Sequence, residues 1–256
     1  ALMPYSGQHT KYLRPLSLEL FAYGKVVATR VAKNSRLQDH DRDYYLTDDS
    51  WNAYLVDGEN VTPLKHHFAE SWMRFHAFSP ELKIAQACLR LQRKVRPSIW
   101  FDEVAERRPG GDRVDSRLLA MTGEYLLDVL AFRYEQEQAF KRHYEWVWHA
   151  FGELELDGVV RGELTHEAWS ATWLDPADHI GLRTHMLGSA PRGGTKVSVR
   201  DNAYGPYLRV LRGNFAEHFV ALHEPFRGEP SIDAVVALAD ADGVAAVMVE
   251  DSGQFT

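Results

Sequence analysis

Short runs of strand-forming residues, cut at close intervals by glycine-containing turns, constrain this chain more than any other feature. Alternating or β-rich sequence occupies 16–23, 53–56, 84–91, 98–104, 118–121, 125–134 and 146–148. It continues at 153–156, 168–173, 181–186, 196–199, 207–211, 218–222, 232–237 and 244–250. Asp57-Gly58, Pro109-Gly110-Gly111, Asp157-Gly158, Gly193-Gly194 and Asp242-Gly243 punctuate these runs, with glycine supplying the positive φ that tight turns need. About fifteen such strands predict an all-β fold, a large antiparallel β-sandwich. The absence of a strand–helix–strand rhythm argues against a doubly wound fold. Segments 62–78 and 136–144 break the pattern and are read as helical or irregular.

A chain of 256 residues can bury one large core, and no repeat, low-complexity tract or Pro-rich linker divides it. The expectation is a single domain over 1–256. A formal net charge of −7 argues against nucleic acid as the main partner, because binding phosphates needs a cationic surface. Seven Trp and eleven Tyr suit a strand core and equally suit platforms that stack on sugar rings. Cys88 is the only cysteine, which excludes an intrachain disulfide and leaves the redox compartment open. No apolar run reaches the ~18 residues of a membrane span, so no membrane partner is expected. Ala1-Leu2-Met3-Pro4-Tyr5 lacks the basic and apolar regions of a signal peptide. A strand-like run ends close to the last residue, so both ends read as cuts through a larger protein.

The residues with the most chemistry precede the first strand. His9, Lys11, Tyr12 and Arg14 stand just ahead of Leu16, Leu18 and Leu20, which alternation sets on one face. An imidazole, with a pKa of about 6.5, beside a phenol and two cations suits proton transfer on an acidic sugar. The same cluster also describes an ordinary polar strand entrance. Trp51, beside Asp48 and Asp49, either stacks on a sugar or packs in the sandwich. His66 and His67 are adjacent and read as surface residues, whereas His143 and His149 share one face and read as sandwich residues. The basic residues between Lys83 and Arg113 are interrupted by Asp102, Glu103 and Glu106, the mark of a solvated face.

Five local patterns in order along the chain resemble the C-terminal β-sandwich half of the heparinase II/III-like polysaccharide lyases. The polar His9 segment runs into Leu16-Ser17-Leu18-Glu19-Leu20-Phe21-Ala22-Tyr23-Gly24-Lys25, similar to that family's LSLELYANGR strand. Trp51-Asn52-Ala53-Tyr54-Leu55-Val56-Asp57-Gly58 resembles its HNTVVVDG, and Glu124-Tyr125-Leu126-Leu127-Asp128-Val129 its eYllDvf strand. His143-Tyr144-Glu145-Trp146-Val147-Trp148-His149-Ala150 resembles its H-x-Y-x-W-x-x-H segment, and Phe219-Val220-Ala221-Leu222-His223-Glu224-Pro225-Phe226 its FVAVLEPY strand.

The resemblance implies β-elimination on an acidic, uronate-containing polysaccharide such as alginate or a glycosaminoglycan, by a periplasmic or secreted enzyme. It implies an N-terminal α/α-toroid half, absent from this chain, that supplies the catalytic Tyr and the group meeting the substrate carboxylate. His9 then takes the sandwich's catalytic role, with Lys11, Tyr12, Arg14 and Trp51 binding substrate. Some members hold a structural zinc, but the matching positions fall near Thr10, Thr29 and Trp51, none a good ligand, so no metal or other cofactor is expected. The family's G-H-x-H-x-D run also departs here to Gly7-Gln8-His9-Thr10-Lys11-Tyr12-Leu13-Arg14, with one His and with Arg14 in place of the Asp. These departures favour the alternative, a non-catalytic carbohydrate-binding or structural sandwich.

Overall fold

Every regular element in the computed structural model is a β-strand, over described residues 2–3, 16–29, 52–56, 59–60, 67–93, 113–134, 143–188, 194–202, 205–212, 218–241, 244–251 and 254–255. The larger sheet orders eight antiparallel strands as Glu153–Asp157, Trp169–Asp175, Ile180–Met186, His218–Arg227, Leu126–Tyr134, Arg113–Met121, Lys83–Arg93 and His67–Phe78. The smaller orders six as Leu164–Thr165, Thr195–Asn202, Gly205–Arg212, Tyr144–His149, Tyr54–Val56 and Glu59–Asn60. A three-stranded sheet of Ile232–Ala241, Val244–Asp251 and Gln254–Phe255 follows, and two small pairs join Leu2–Met3 to Ser17–Leu18 and Leu20–Ala22 to Lys25–Ala28. The fold is the antiparallel β-sandwich that the strand spacing predicts.

Alternation explains which residues meet between the two large sheets. Leu126, Leu130 and Phe132 face inward from the larger sheet, as do Trp169, Ala171 and Trp173. Tyr144, Trp146 and Trp148 face them from the smaller. Phe132 stacks on Tyr144 with centroids 4.0 Å apart, and Trp146 stacks on Trp148 at 5.1 Å. Burying rings of this size contributes roughly 2–3 kcal/mol each before entropy is counted.

Leu16, Leu18 and Leu20 are all buried, as their spacing requires, but the run is not one strand. Ser17–Leu18 pairs with Leu2–Met3, whereas Leu20–Ala22 turns through Tyr23 and Gly24 to pair with Lys25–Ala28. Both turn residues have positive φ. Lys25 then bonds Asp175 at 2.9 Å and Asp178 at 2.7 Å, tying this hairpin to the end of the Trp169–Asp175 strand.

One expectation is corrected. Segment 62–78, read as helical or irregular, contains the 12-residue strand His67–Phe78. Two features erase its period: a register shift between Met73 and Phe75, and exposure of every residue from Met73 to Phe78. An edge strand with neither face covered has no reason to alternate.

Candidate functional site

Arg117 is the centre of the best-defined polar constellation. It projects into the sandwich from Arg113–Met121, fully buried, and its guanidinium meets the equally buried Asp128 of the neighbouring strand. Nε donates to Oδ1 at 2.8 Å and Nη2 to Oδ2 at 2.5 Å, the bidentate geometry a planar fork allows. Burial by itself would raise the Asp128 pKa. The charge and hydrogen bonds of Arg117, with His223, outweigh it and hold the carboxyl at about 2.

His223 extends the network to a third strand. Its Nε2 faces Asp128 Oδ2 at 3.5 Å, and its Nδ1 lies 2.9 Å from Thr184 Oγ1. A carboxylate only accepts, so Nε2 carries the hydrogen and the Thr184 hydroxyl donates to Nδ1. Trp148 covers the ring, stacked at 4.1 Å. Burial pushes the His223 pKa down and Asp128 opposes that only in part, so the imidazole is neutral. Closed off from water, this network has no room for a substrate.

Its outward reach gives it a role. Arg117 Nη1 donates to the backbone carbonyls of Leu16 at 2.6 Å and Asn52 at 2.7 Å. Leu18 N donates to the same Asn52 carbonyl at 3.1 Å. The Asn52 side chain is fully engaged as well, accepting from His149 N at 2.6 Å and donating to His149 O at 3.1 Å. Asn52 thus continues the pairing of Tyr54–Val56 along Tyr144–His149 and fixes where residue 52 sits.

His9, Lys11, Tyr12, Arg14 and Trp51 lie outside the described residues. The structure instead gives the junctions where their segments join the sandwich: Leu16, two residues after Arg14, and Asn52, directly after Trp51. These are held side by side by one guanidinium. Among the described residues, no three His, Cys, Asp or Glu side chains converge on a metal position. Thr29, one position matched to the family's zinc site, donates to Glu19 Oε1 at 3.0 Å.

The histidines read as sandwich residues divide. His149 is buried and stacks on Tyr207 at 4.5 Å, on the outer face of the smaller sheet, while His143 is exposed. Sequence reasoning gave no role to Arg117, Asn52, Asp128 or His223. Their signal is a polar residue at an inward register position: Asp128 shares parity with Leu126, Leu130 and Phe132, and Arg117 with Leu119. In comparisons with known proteins, no family model and no curated protein matches the chain.

Proposed function

We propose that this chain is the β-sandwich half of a polysaccharide lyase that cleaves an acidic, uronate-containing polysaccharide such as alginate or a glycosaminoglycan. The observation that carries the reading is the Arg117 junction: the segment holding His9, Lys11, Tyr12 and Arg14, and the segment holding Trp51, join the sandwich at adjacent carbonyls braced by one buried ion pair. A site assembled from two loops needs such a rigid base. Residues of all five family-like patterns also converge there: Leu16, Asn52, Asp128, Trp148 and His223 form one connected set.

In this reading a base removes the C5 proton of the uronate, the electrons form the C4–C5 double bond, and the C4–O4 bond breaks as O4 takes a proton. The C5 proton is too weakly acidic unless the adjacent carboxylate is neutralised, which stabilises the enolate-like transition state by several kcal/mol. Proton transfer to and from the reacting groups adds about 10²–10⁴-fold. His9 serves as base or carboxylate neutraliser, and Lys11, Tyr12, Arg14 and Trp51 hold the sugar. The remaining groups come from a helical domain of the same periplasmic or secreted protein, as the resemblance implies.

The test is an absorbance assay for the unsaturated product. The protein carrying this chain with its helical half is assayed on a panel of uronate polymers beside its His9→Ala variant. New absorbance on one polymer, lost in a folded variant, supports the reading. Binding without product on every polymer rejects it in favour of a carbohydrate-binding module, and unchanged turnover in the variant removes His9 from the mechanism.

A further inference from the structure

The outer face of the larger sheet carries a second polar site, on the opposite side of the sheet from the Arg117 junction. Strand register aligns two rows of side chains there. Asp157 stands opposite Ser170, which stands opposite His185. One step along, Glu155, Thr172, Arg183 and Glu224 form the parallel row. The Ile232–Ala241 strand covers one side of these rows, seated by Ile232 on Leu222 and Val249 and anchored where Glu224 Oε1 accepts from the backbone N of Ser231 and Ile232. Between strand and sheet lies a cleft of about 190 Å³ whose lining includes Asp157, Ser170, Arg183, His185, Asp233 and Val235.

Size and chemistry narrow what fits. A cavity of about 150 Å³ takes benzene, so this cleft, open to solvent on one side, has room for one six-membered ring with short substituents. Asp157 and Asp233 only accept hydrogen bonds, Arg183 only donates, and Ser170 does both. A ring bearing hydroxyls, each donor and acceptor at once, satisfies such a mixture. Arg183 is fixed in place by its Nε, which donates to Thr172 Oγ1 at 3.2 Å. An anion meets two carboxylates against one guanidinium, and a simple cation meets the guanidinium. Both are disfavoured relative to an uncharged polyol.

We propose that this cleft binds a single uncharged hexose ring, as a free sugar or as one residue of a glycan. It is a saccharide site whose charge preference is opposite to that of an acidic-polymer site, and it does not depend on the lyase reading.

Amide shifts of the full chain, followed by NMR as D-glucose, D-galactose, D-mannose or D-glucuronate is added, test this. The expected result is saturable shifts with at least one neutral hexose at Gly158, Ser170, Leu187 and Val235, and glucuronate binding at least about tenfold more weakly. Asp157 and Asp233 are exposed, so their replacement leaves the fold intact. Asp157→Ala and Asp233→Ala are each expected to weaken the hexose about tenfold. The proposal is overturned by no saturable shift with any hexose, by shifts mapping elsewhere, by glucuronate binding as tightly, or by unchanged affinity in both variants.

Discussion

Arg117 and Asp128 sit diagonally on adjacent strands, Arg117 directly opposite Leu130 and Asp128 opposite Leu119, so both project into the sandwich between apolar neighbours. The pair has no access to water, and its geometry decides whether it stabilises or harms the core. Removing one partner leaves a buried charge uncompensated, typically a loss of about 3–5 kcal/mol. Arg117→Met and Asp128→Leu are each expected to lose that much in urea unfolding. The double variant should recover part of it but not all, because the Leu16 and Asn52 carbonyls still lack the donor that Arg117 supplies. A double variant as unstable as the sum of the singles would show that the two side chains do not act as a pair.

Acid should weaken this protein in two stages. His223 is held neutral with its pKa below 6.5, so as pH falls past 6.5 the unfolded chain takes up a proton that the folded one refuses. Stability therefore declines from that point downward. Asp128 has its pKa lowered from 3.8 to about 2, so its contribution is present above 3.8 and is lost as pH falls towards 2. That shift corresponds to about 2 kcal/mol. Urea midpoints measured between pH 7 and 5 should fall for the native chain and fall less for His223→Gln. Equal slopes would remove His223 from the account.

The same residues show what could be read in advance. Inward alternation of Leu126, Leu130 and Phe132 announced a core strand, and the strand is there. Asp128 stood in that pattern as an anomaly whose partner could not be named, because Arg117 lies on a different strand and fills an inward position that composition alone assigns to the surface. Buried ion pairs are legible only when both strands and their register are known. The edge strand His67–Phe78 was missed for the opposite reason: bulged, and exposed from Met73 to Phe78, it gives no alternation to detect. Asp157, Ser170 and His185 lie on three strands adjacent in the larger sheet, with Leu164–Thr165 of the other sheet interposed in the chain. The strand that roofs them was recognised over 232–237, but nothing local says that it folds back over them. The candidates His9, Lys11, Tyr12, Arg14 and Trp51 lie outside the described residues, and the structure gives only the neighbours at which their segments join the sandwich, among them Leu16 and Asn52.

Glu224 acts as the clasp of the terminal three-stranded sheet. Oε1 accepts from Ser231 N, from Ser231 Oγ at 3.0 Å and from Ile232 N at 3.1 Å. Burial would raise its pKa, yet His185, 4.0 Å from Oε2, and the bonds from Ser231 and Ile232 keep it below 4.5. Hydrogen bonds to a buried carboxylate contribute on the order of 2–3 kcal/mol. In Glu224→Ala, hydrogen exchange at 232–236 and 247–250 should accelerate about tenfold to a hundredfold, while exchange at 126–132 stays slow. Uniform acceleration across both regions would mean that the terminal sheet does not open independently.

Gly181 offers a test of how tightly the larger sheet packs. Paired opposite Leu174 and Phe226, it would set a Cβ 2.6 Å from the Trp173 carbonyl oxygen and closer still to Phe226 Cζ. The carbonyl is backbone in a central strand, and the Phe226 ring is buried, so neither yields without moving its strand. Overpacking of this kind costs about 1–3 kcal/mol. Gly123 makes the control, since a Cβ there has nothing within 4 Å. Gly181→Ala should lower the thermal midpoint by roughly 2–12 °C, at 2–4 °C per kcal/mol for a chain of about this size. Gly123→Ala should leave it unchanged or raise it slightly, because the unfolded chain loses freedom at no steric cost. If both variants melt with the native chain, the close approach of Phe226 to Gly181 is not a constraint on the fold.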